Sequence, residues 1–370
     1  MKMNDNAYMQ LALQLAQKGC GYVSPNPMVG AVIVKNERII GSGYHEKYGK
    51  EHAERNALAS CTESPEDATM YVTLEPCCHH GKQPPCVEAI INAKIRRVVI
   101  GCGDPNPLVA GKGIEILRTN GIEVTEHVLE EKCRKLNDVF FHFIQTKKPY
   151  VVMKYAMTLD GKIATYTGAS KWITGEEART HVHRQRHRYR AIMAGVGTVL
   201  TDDPLLTCRM EGGRNPIRII CDTKLRTPLT SKIMQTAKEV PTILATCCLD
   251  SAKYASYESY GCHILTVPED NGHVNLAKLM ELLGIHGIDS ILLEGGASLN
   301  WSALSSGIVQ KVEAYIAPKL FGGETAKSPI GGCGFSTPAT GIHLTNYTMH
   351  QLGDDILIEG EVNTDVYRNH

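Results

Sequence analysis

The chain has 370 residues, of which 43% are hydrophobic and 21% are charged. This length indicates two domains of ordinary size, and this composition excludes a largely disordered chain. Lys plus Arg equals Asp plus Glu at 39 each, so the net charge gives no electrostatic reason to expect binding to a nucleic-acid backbone or an anionic membrane. No apolar run approaches the roughly 20 residues that a membrane-spanning helix needs.

The N-terminus and the cysteine content both indicate an intracellular protein. The first five residues, Met-Lys-Met-Asn-Asp, contain no apolar signal core. The thirteen cysteines are therefore expected in a reducing compartment, where metal binding or catalysis is more common than a disulfide framework. We predict a cytoplasmic protein.

The first half of the chain alternates helical and strand patterns. Apolar spacing predicts helices at residues 6–19, 52–60, 85–93, 114–120 and 130–143. Short β-branched runs predict strands at residues 29–34, 38–43, 70–74, 97–100 and 122–125. This alternation predicts a three-layer α/β domain.

A short polar segment ending in Pro149 is the best linker candidate. It divides the chain into predicted domains at about residues 1–147 and 148–368. A second α/β alternation follows the linker. Strands are predicted at residues 150–157, 191–194, 217–221, 242–245, 264–267 and 290–293, and helices at residues 176–188, 276–283 and 297–304.

Three residues of the first half have the chemistry of a catalytic zinc site. His52, Cys77 and Cys86 supply one imidazole and two thiolates, and a catalytic zinc keeps its fourth position open for water. Glu54 lies two residues after His52, close enough to relay a proton without binding the metal. The pattern matches the zinc-deaminase signature, in which zinc activates the water that displaces an amine.

The local sequence leaves two alternatives open. Neighbouring side chains on the same loop could replace Cys77 as a ligand: Cys78, His79 and His80. A structural zinc is the second alternative, although it normally takes a fourth protein ligand. The usual signature has two residues between its cysteines, whereas eight separate Cys77 from Cys86.

That longer loop, residues 75–86, resembles the zinc loop of the bifunctional deaminase/reductase family of riboflavin biosynthesis. Residues 25–27, 43–45 and 104–107 are similar to other segments of the same family. The resemblance implies that six residues line a pyrimidine and ribose-phosphate pocket: Asn26, His45, His79, Lys82, Asp104 and Asn106. Amides, imidazoles and a carboxylate suit a polar heterocycle, and a lysine suits a phosphate.

The second half lacks a Gly-x-Gly-x-x-Gly fingerprint. Its best local signal is Glu294-Gly295-Gly296, in which a carboxylate and two glycines follow a predicted strand and open a predicted helix. Four longer segments resemble the reductase half of the same family: residues 153–162, 170–174, 197–207 and 317–323. The resemblance covers nearly the whole chain in the same order.

The resemblance implies a cytidine-deaminase-like N-terminal domain and a dihydrofolate-reductase-like C-terminal domain that uses NADPH. The implied cofactor contacts are Ala156, Trp172, Thr174, Thr198, Asp202, Thr223 and Gly296. The implied substrate contacts are Ser170, Arg186, Leu206, Arg209 and Glu294. Lys154 and Asp202 are hypothesised to assist ribose-ring opening or protonation of its oxygen.

The predicted function has two steps, each on a small-molecule substrate. Zinc-dependent hydrolysis would deaminate 2,5-diamino-6-ribosylamino-4(3H)-pyrimidinone 5′-phosphate, and NADPH would then reduce the ribosyl chain to ribityl. No nucleic-acid or membrane partner is expected, and we expect a homo-oligomer. The rival hypotheses are a nucleic-acid or nucleoside deaminase with a non-catalytic second domain, and a zinc-stabilised scaffold. Zero net charge and 6% aromatic residues give the first rival little support.

Overall fold

The computed structural model describes residues 3–80 and 83–363. The chain divides into two compact units, one ending at Lys147 and the other beginning at Lys148. None of the helices in the described part of the chain combines the length and the apolar character that a membrane span requires.

The first unit contains a five-stranded mixed sheet in the order β2-β1-β3-β4-β5. The strands are β1 (Gly30–Lys35), β2 (Arg38–Tyr44), β3 (Thr69–Leu74), β4 (Arg97–Cys102) and β5 (Glu123–Thr125). Strand β1 is antiparallel to β2 and β3, whereas β3, β4 and β5 are parallel. The helices are α1 (Asp5–Gln17), α2 (Ala53–Ala59), α3 (Cys86–Asn92), α4 (Lys112–Thr119), α5 (Glu130–Leu136) and α6 (Asp138–Thr146).

Two glycines show how closely helices approach both faces of this sheet. A Cβ on Gly30 would lie 2.0 Å from the carbonyl oxygen of Ala12 in α1, and a Cβ on Gly43 would lie 2.4 Å from the amide of Ala57 in α2. Gly43 pairs with Ala31, the neighbour of Gly30, so the two glycines face opposite sides of the sheet. Helices α1 and α2 therefore cover opposite faces, which gives the predicted three layers.

The second unit is built on a nine-stranded sheet in the order β10-β9-β8-β7-β13-β6-β14-β16-β15. Its strands are β6 (Tyr150–Thr158), β7 (Ala191–Gly195), β8 (Ile217–Cys221), β9 (Thr242–Thr246), β10 (Cys262–Thr266), β13 (Ser290–Leu293), β14 (Lys311–Ala317), β15 (Leu344–Leu352) and β16 (Asp355–Val362). A separate small hairpin comprises β11 (Glu269–Asp270) and β12 (His273–Val274). Strands β10 to β14 along this order are parallel, and β16 and β15 add an antiparallel edge.

Helices connect the parallel strands. They are α7 (Glu176–Arg188), α8 (Val196–Asp202), α9 (Lys232–Gln235), α10 (Tyr254–Ser259), α11 (Leu276–Ile285) and α12 (Ala297–Ser305). Short 3₁₀ turns occur at Ser251–Lys253 and Pro338–Thr340. The core on one side of the sheet contains buried Val151, Met193 and Leu293, next to α11 and α12.

The predicted helix at residues 130–143 is wrong in one respect, because it is two helices that meet at Asn137. The buried Asn137 amide accepts a hydrogen bond from the Met28 N–H and donates one to the Met28 carbonyl. The side chain of Asn137 therefore fixes the loop before β1, and the helix is interrupted at this residue. Strands β14, β15 and β16 had no predicted counterpart, and their place in the sheet depends on pairing with β6 and with one another.

Candidate active sites

Three side chains of the first unit form a metal-binding cluster. His52 Nδ1 lies 3.5 Å from Cys77 Sγ and 3.4 Å from Cys86 Sγ. A tetrahedral zinc ion with Zn–N bonds of about 2.0 Å and Zn–S bonds of about 2.3 Å separates nitrogen from sulfur by about 3.5 Å. The donor set and its spacing therefore fit zinc. Among the described residues, no other group of three such ligands comes together.

The ends of secondary-structure elements position this cluster. His52 immediately precedes α2, and Cys86 is the first residue of α3. The Cys86 N–H donates to Cys77 Sγ at 3.4 Å. The hydrogen bond with the Cys86 thiol and that with His52 lower the pKa of Cys77, although burial opposes them. The site thus favours a thiolate at Cys77 before any metal binds.

The alternative ligands lie elsewhere. Cys78 Sγ is 3.5 Å from the carbonyl oxygen of Leu108. His80 Nε2 is 3.7 Å from the Glu88 carboxylate. His79 lines the cavity beside the cluster but does not belong to it. The three-ligand arrangement leaves room for a fourth, non-protein ligand, as hydrolysis requires.

Glu54 lies in the first turn of α2 and is 3% exposed. Burial and the nearby Cys77 raise its pKa to about 7. A carboxyl group with a pKa near neutrality can both accept and donate a proton at physiological pH. Glu54 lines the same cavity as His52 and Cys77, so it has access to a molecule bound there.

That cavity has a volume of about 270 Å³ and suits a small molecule. Five of the predicted pocket residues line it: Asn26, His45, His79, Asp104 and Asn106. The sixth, Lys82, lies outside the described residues. Several further lining residues were not predicted as pocket residues, including Tyr48, Lys50, Glu75, Gln83 and Phe140.

Asn26 and His45 form an oriented pair. His45 Nδ1 is 2.9 Å from the carbonyl oxygen of Glu51, so this nitrogen is the donor. Its Nε2 then accepts from Asn26 Nδ2 at 3.2 Å. Burial lowers the pKa of His45, which favours the neutral ring. The pair leaves the amide oxygen of Asn26 free of this contact and available to a substrate N–H.

Glu75 organises the far wall of the cavity. Its buried carboxylate accepts hydrogen bonds from four backbone N–H groups, those of Asp104, Gly111, Gly113 and Ile114. Asp104 in turn accepts from the Asn106 N–H at 2.8 Å. Burial raises the pKa of Asp104 to about 6. The only sequence signal for Glu75 was its place directly before Pro76-Cys77.

The carboxyl end of β13 and the middle of β6 form the centre of the second candidate site. Leu293 pairs with Met153, so the next residues, Glu294 and Lys154, lie side by side. Arg186 donates two hydrogen bonds to the Glu294 carboxylate, at 2.7 and 2.9 Å. Lys154 Nζ lies 3.6 Å from the same carboxylate.

Glu294 is ionised in spite of its position. Burial acts to raise its pKa, but the charges of Arg186 and Lys154 outweigh burial and lower the pKa to about 2. Lys154 also lies 5.6 Å from the centre of the Tyr315 ring, and the Tyr315 hydroxyl is 2.7 Å from His181 Nδ1. Neither Tyr315 nor His181 was singled out from the sequence, since Tyr315 comes near Lys154 only when β14 pairs with β6, and His181 reaches Tyr315 from α7.

The predicted substrate contacts of the second unit differ in how accessible their side chains are to a bound molecule. The Arg186 guanidinium is engaged by Glu294 and by the Thr207 carbonyl at 3.0 Å. Arg209 is exposed, with Nε 3.2 Å from His183 Nε2. Leu206 is 4% exposed, so mainly its backbone is accessible. Ser170 is half-buried in the loop between β6 and α7. Arg186 thus holds Glu294 in place, and Arg209 is the more accessible cation.

Two of the predicted cofactor contacts, Thr198 and Gly296, lie on glycine-containing turns. A Cβ on Gly197 would meet nothing within 4 Å, and one on Gly296 would lie 4.0 Å from Thr198 Oγ1. These turns follow β7 and β13, which are adjacent parallel strands. Their exposed backbone and small side chains fit a pyrophosphate-containing dinucleotide.

The remaining predicted contacts surround this edge. Trp172 is 60% exposed and lies under the Arg179 guanidinium at 4.7 Å, whereas Thr174 is 8% exposed. Ala156 lies on β6, Asp202 ends α8, and Thr223 follows β8. The Asp160 carboxylate accepts from the backbone N–H groups of Phe321 and Gly322, which joins two of the segments that predicted a reductase.

A deaminase-type zinc site in one unit and a dihydrofolate-reductase-like sheet in the other define a class of enzyme in which a deaminase is fused to a reductase. The family model of the cytidine and deoxycytidylate deaminase zinc-binding region matches residues 2–102. The model of the RibD C-terminal domain matches residues 149–358. Both matches confirm the predicted fold classes.

Whole-length relatives specify the family. The riboflavin biosynthesis protein RibD of Actinobacillus pleuropneumoniae is 54% identical over 357 residues, which cover 96% of this chain and 95% of that protein. The structure of Acinetobacter baumannii RibD, form 1, has a TM-score of 0.88 and 37% identity, with 97% of this chain and 99% of that chain covered. The chain belongs to the RibD family, as its sequence predicted.

A third relative has a descriptive name. It is a diaminohydroxyphosphoribosylaminopyrimidine deaminase/5-amino-6-(5-phosphoribosylamino)uracil reductase from Thermotoga maritima. Its structure matches with a TM-score of 0.85 and 38% identity, over 97% of this chain and 99% of that chain.

Proposed function

We propose that this chain is a bifunctional enzyme of riboflavin biosynthesis. It deaminates 2,5-diamino-6-ribosylamino-4(3H)-pyrimidinone 5′-phosphate and then reduces the ribosyl chain, giving 5-amino-6-ribitylamino-uracil 5′-phosphate. The observation that carries the proposal is the three-ligand cluster beside buried Glu54, in a cavity of a chain that matches RibD proteins over nearly its whole length. We assign deamination to residues 1–147 and reduction to residues 148–368.

In the deaminase site, His52, Cys77 and Cys86 would hold zinc. When bound, zinc would lower the pKa of a water molecule and so supply the nucleophile. Glu54 takes the proton from the attacking water and delivers it to the departing amine, so that water and the C–NH₂ group become C=O and ammonia. The His45-oriented amide of Asn26 would fix the pyrimidine ring, together with Asp104 and Asn106.

In the reductase site, NADPH would supply the hydride. The new C–H bond forms at C1′ of the ribosyl group, the bond from C1′ to the ring oxygen breaks, and that oxygen takes a proton. Lys154 is the proposed donor, since its Nζ lies at the centre of the site, 3.6 Å from the Glu294 carboxylate. Asp202 is the second candidate. Neutral replacements of Lys154 and of Asp202 that reduce at the wild-type rate would contradict these roles.

We further propose a cytoplasmic homo-oligomer. None of the thirteen cysteines forms a disulfide, as is usual in reducing compartments. Apolar side chains lie exposed on the edge hairpin, with Tyr347 at 65%, Met349 at 68% and Ile356 at 44%. An exposed apolar edge strand is a natural surface for a second copy. Light scattering should give a mass above one chain, and Met349→Glu should lower it; a monomeric wild type would contradict the oligomer.

The test of the two activities is mass spectrometry of the products made with and without NADPH. Without NADPH, the substrate should exchange one amine for oxygen. With NADPH, the deaminated product should gain two hydrogens. Reduction without deamination would contradict the zinc-site assignment, and an unchanged substrate with folded, zinc-loaded protein would contradict the substrate assignment.

A further inference from the structure

The turn that follows β8, residues 222–227, is held unusually firmly. The Asp222 carboxylate, which is fully buried, accepts hydrogen bonds from the N–H and the hydroxyl of Thr227 at 2.7 and 2.8 Å. The Tyr257 hydroxyl lies 2.9 Å from the Leu225 carbonyl and 3.1 Å from the Thr227 carbonyl. The Cys247 N–H donates to the Thr223 carbonyl at 3.1 Å. The backbone of the turn is therefore fixed from both of its ends.

This fixed backbone directs two cations outward. Leu225 has a φ of 52° and is only 7% exposed, so it anchors the middle of the turn in the core. The residues on either side of it, Lys224 and Arg226, are both exposed. In the described residues neither makes a hydrogen bond or an ion pair, unlike Arg186 and Lys154 nearer the centre of the sheet. The turn thus presents two unpaired positive charges on a preorganised backbone.

The turn lies at a defined place relative to the reductase site. Strand β8 is parallel to β7, and β7 is parallel to β13, so the turn and Glu294 lie at the same edge of the sheet. Adjacent strands are about 4.8 Å apart, which puts β8 about 10 Å from β13 and about 14 Å from β6. The glycine-containing turn after β7 lies between them. An extended dinucleotide with its nicotinamide beside Lys154 would reach β8 with its adenosine end.

We propose that Lys224 and Arg226 bind the 2′-phosphate of NADPH and thereby set the preference of this enzyme for NADPH over NADH. The assignment rests on the proposed reductase function. The 2′-phosphate is a dianion that NADH lacks, and two cations match its charge. An arginine can donate two parallel hydrogen bonds to a phosphate, whereas lysine adds a compact charge. Because Asp222 and Tyr257 already fix the backbone, little ordering of the turn is needed on binding.

The test measures binding directly and compares cofactors that differ only in this phosphate. The variants are Arg226→Gln, Lys224→Gln and the double variant, and the ligands are NADPH, NADH, 2′,5′-ADP and 5′-ADP, by calorimetry. Each single replacement should raise the Kd for NADPH and for 2′,5′-ADP about tenfold, and the double variant about a hundredfold, since each removes hydrogen bonds to a charged group. The Kd values for NADH and 5′-ADP should not change.

Lys238→Gln is the matched control. Lys238 is also exposed, but it precedes β9, which is parallel to β8, and so lies toward the opposite edge of the sheet. Its replacement should leave all four Kd values unchanged. If the variants at Lys224 and Arg226 raise the Kd values for NADPH and NADH equally, or change neither Kd, the assignment is overturned. The reductase function would remain intact in both cases. A wild-type protein without affinity for NADPH would overturn both.

Discussion

Glu54 and Glu294 are carboxyl groups at the centre of a candidate site, Glu54 buried and the Glu294 side chain 13% exposed, yet their pKa values are shifted in opposite directions. Burial and a neighbouring thiol raise the pKa of Glu54 to about 7. Burial acts in the same sense on Glu294, but Arg186 and Lys154 lower its pKa to about 2. Burial alone therefore does not decide the charge of a carboxyl group. The cations within reach decide it, and they separate a group suited to moving protons from one suited to holding a charge.

The largest expected effect is the loss of deamination when Glu54, the group that moves protons, is replaced. Glu54→Gln keeps the shape of the side chain but removes its ability to accept a proton, so deamination should slow about a hundredfold to ten-thousandfold. The rate of ammonia release measures deamination. Reduction of preformed deaminated substrate and the zinc content should stay at wild-type values.

Glu66→Gln is the control for the loss of a carboxylate in the same unit. Glu66 is half exposed and paired with Lys94 at 2.9 Å, away from the cavity. Its replacement should leave deamination unchanged. If Glu54→Gln deaminates at the wild-type rate, or if it also stops reduction in a folded, zinc-loaded protein, the contrast between the two carboxyl groups fails.

The second largest effect is a loss of stability when Glu294, the group that holds a charge, loses its partner Arg186. Arg186→Met removes the two short hydrogen bonds to Glu294 and should destabilise the second unit by about 3–5 kcal/mol, the usual cost of breaking a buried ion pair from one side. Both tryptophans, Trp172 and Trp301, belong to this unit, so urea unfolding followed by tryptophan fluorescence reports on it. The double variant Arg186→Met/Glu294→Met should recover part of the loss, because no Glu294 carboxylate is then left without Arg186, although Lys154 loses its ion pair with Glu294. A double variant less stable than the single one would argue against the pair.

The two sites also differ in how far the sequence predicted them. The zinc ligands fall within 35 residues, between His52 and Cys86. His52 and Cys86 lie at the start of helices that the local pattern predicts, and Cys77 lies in the loop after β3. Residue types and spacing were therefore enough to predict the cluster, although they left other ligands on the Cys77 loop open. Glu75 was missed because its role depends on four backbone N–H groups that lie 29 to 39 residues later.

The reductase site depends on contacts between distant segments. Lys154, Arg186 and Glu294 come together only through the strand order of the large sheet. Individual elements such as α7 were predictable from periodicity, but strand order was not. The resemblance implied that Arg186 and Glu294 each contact substrate, but not that the two side chains pair with each other, as they do in the structure. The C-terminal strands β15 and β16 were missed for the same reason, since they are fixed by pairing with β14.

A third prediction uses pH. Glu294 binds protons more weakly in the folded protein than its ordinary pKa of 4.5 implies for the unfolded chain, so acid favours unfolding. The stability it contributes is fully present above about pH 5 and is lost as the pH falls toward 2. Glu294→Gln should be less stable than wild type at pH 7 but less sensitive to acid.

The quantity to compare is the loss of unfolding free energy of the second unit between pH 7 and pH 4. Wild type should lose about 1 kcal/mol more than Glu294→Gln over this range. Urea unfolding at the two pH values, again by tryptophan fluorescence, measures it. Equal losses in the two proteins would mean that Glu294 is not ionised by its neighbours.

The smallest expected effect separates the two cations that act on Glu294. Lys154 lies 3.6 Å from the carboxylate, without the paired short hydrogen bonds of Arg186. Lys154→Met should therefore destabilise the second unit by only about 1 kcal/mol, since an ion pair without good hydrogen-bond geometry contributes little. Urea unfolding beside Arg186→Met gives the comparison. If the two replacements cost the same, total positive charge rather than the bidentate geometry of Arg186 keeps Glu294 ionised, and either cation could serve as the anchor.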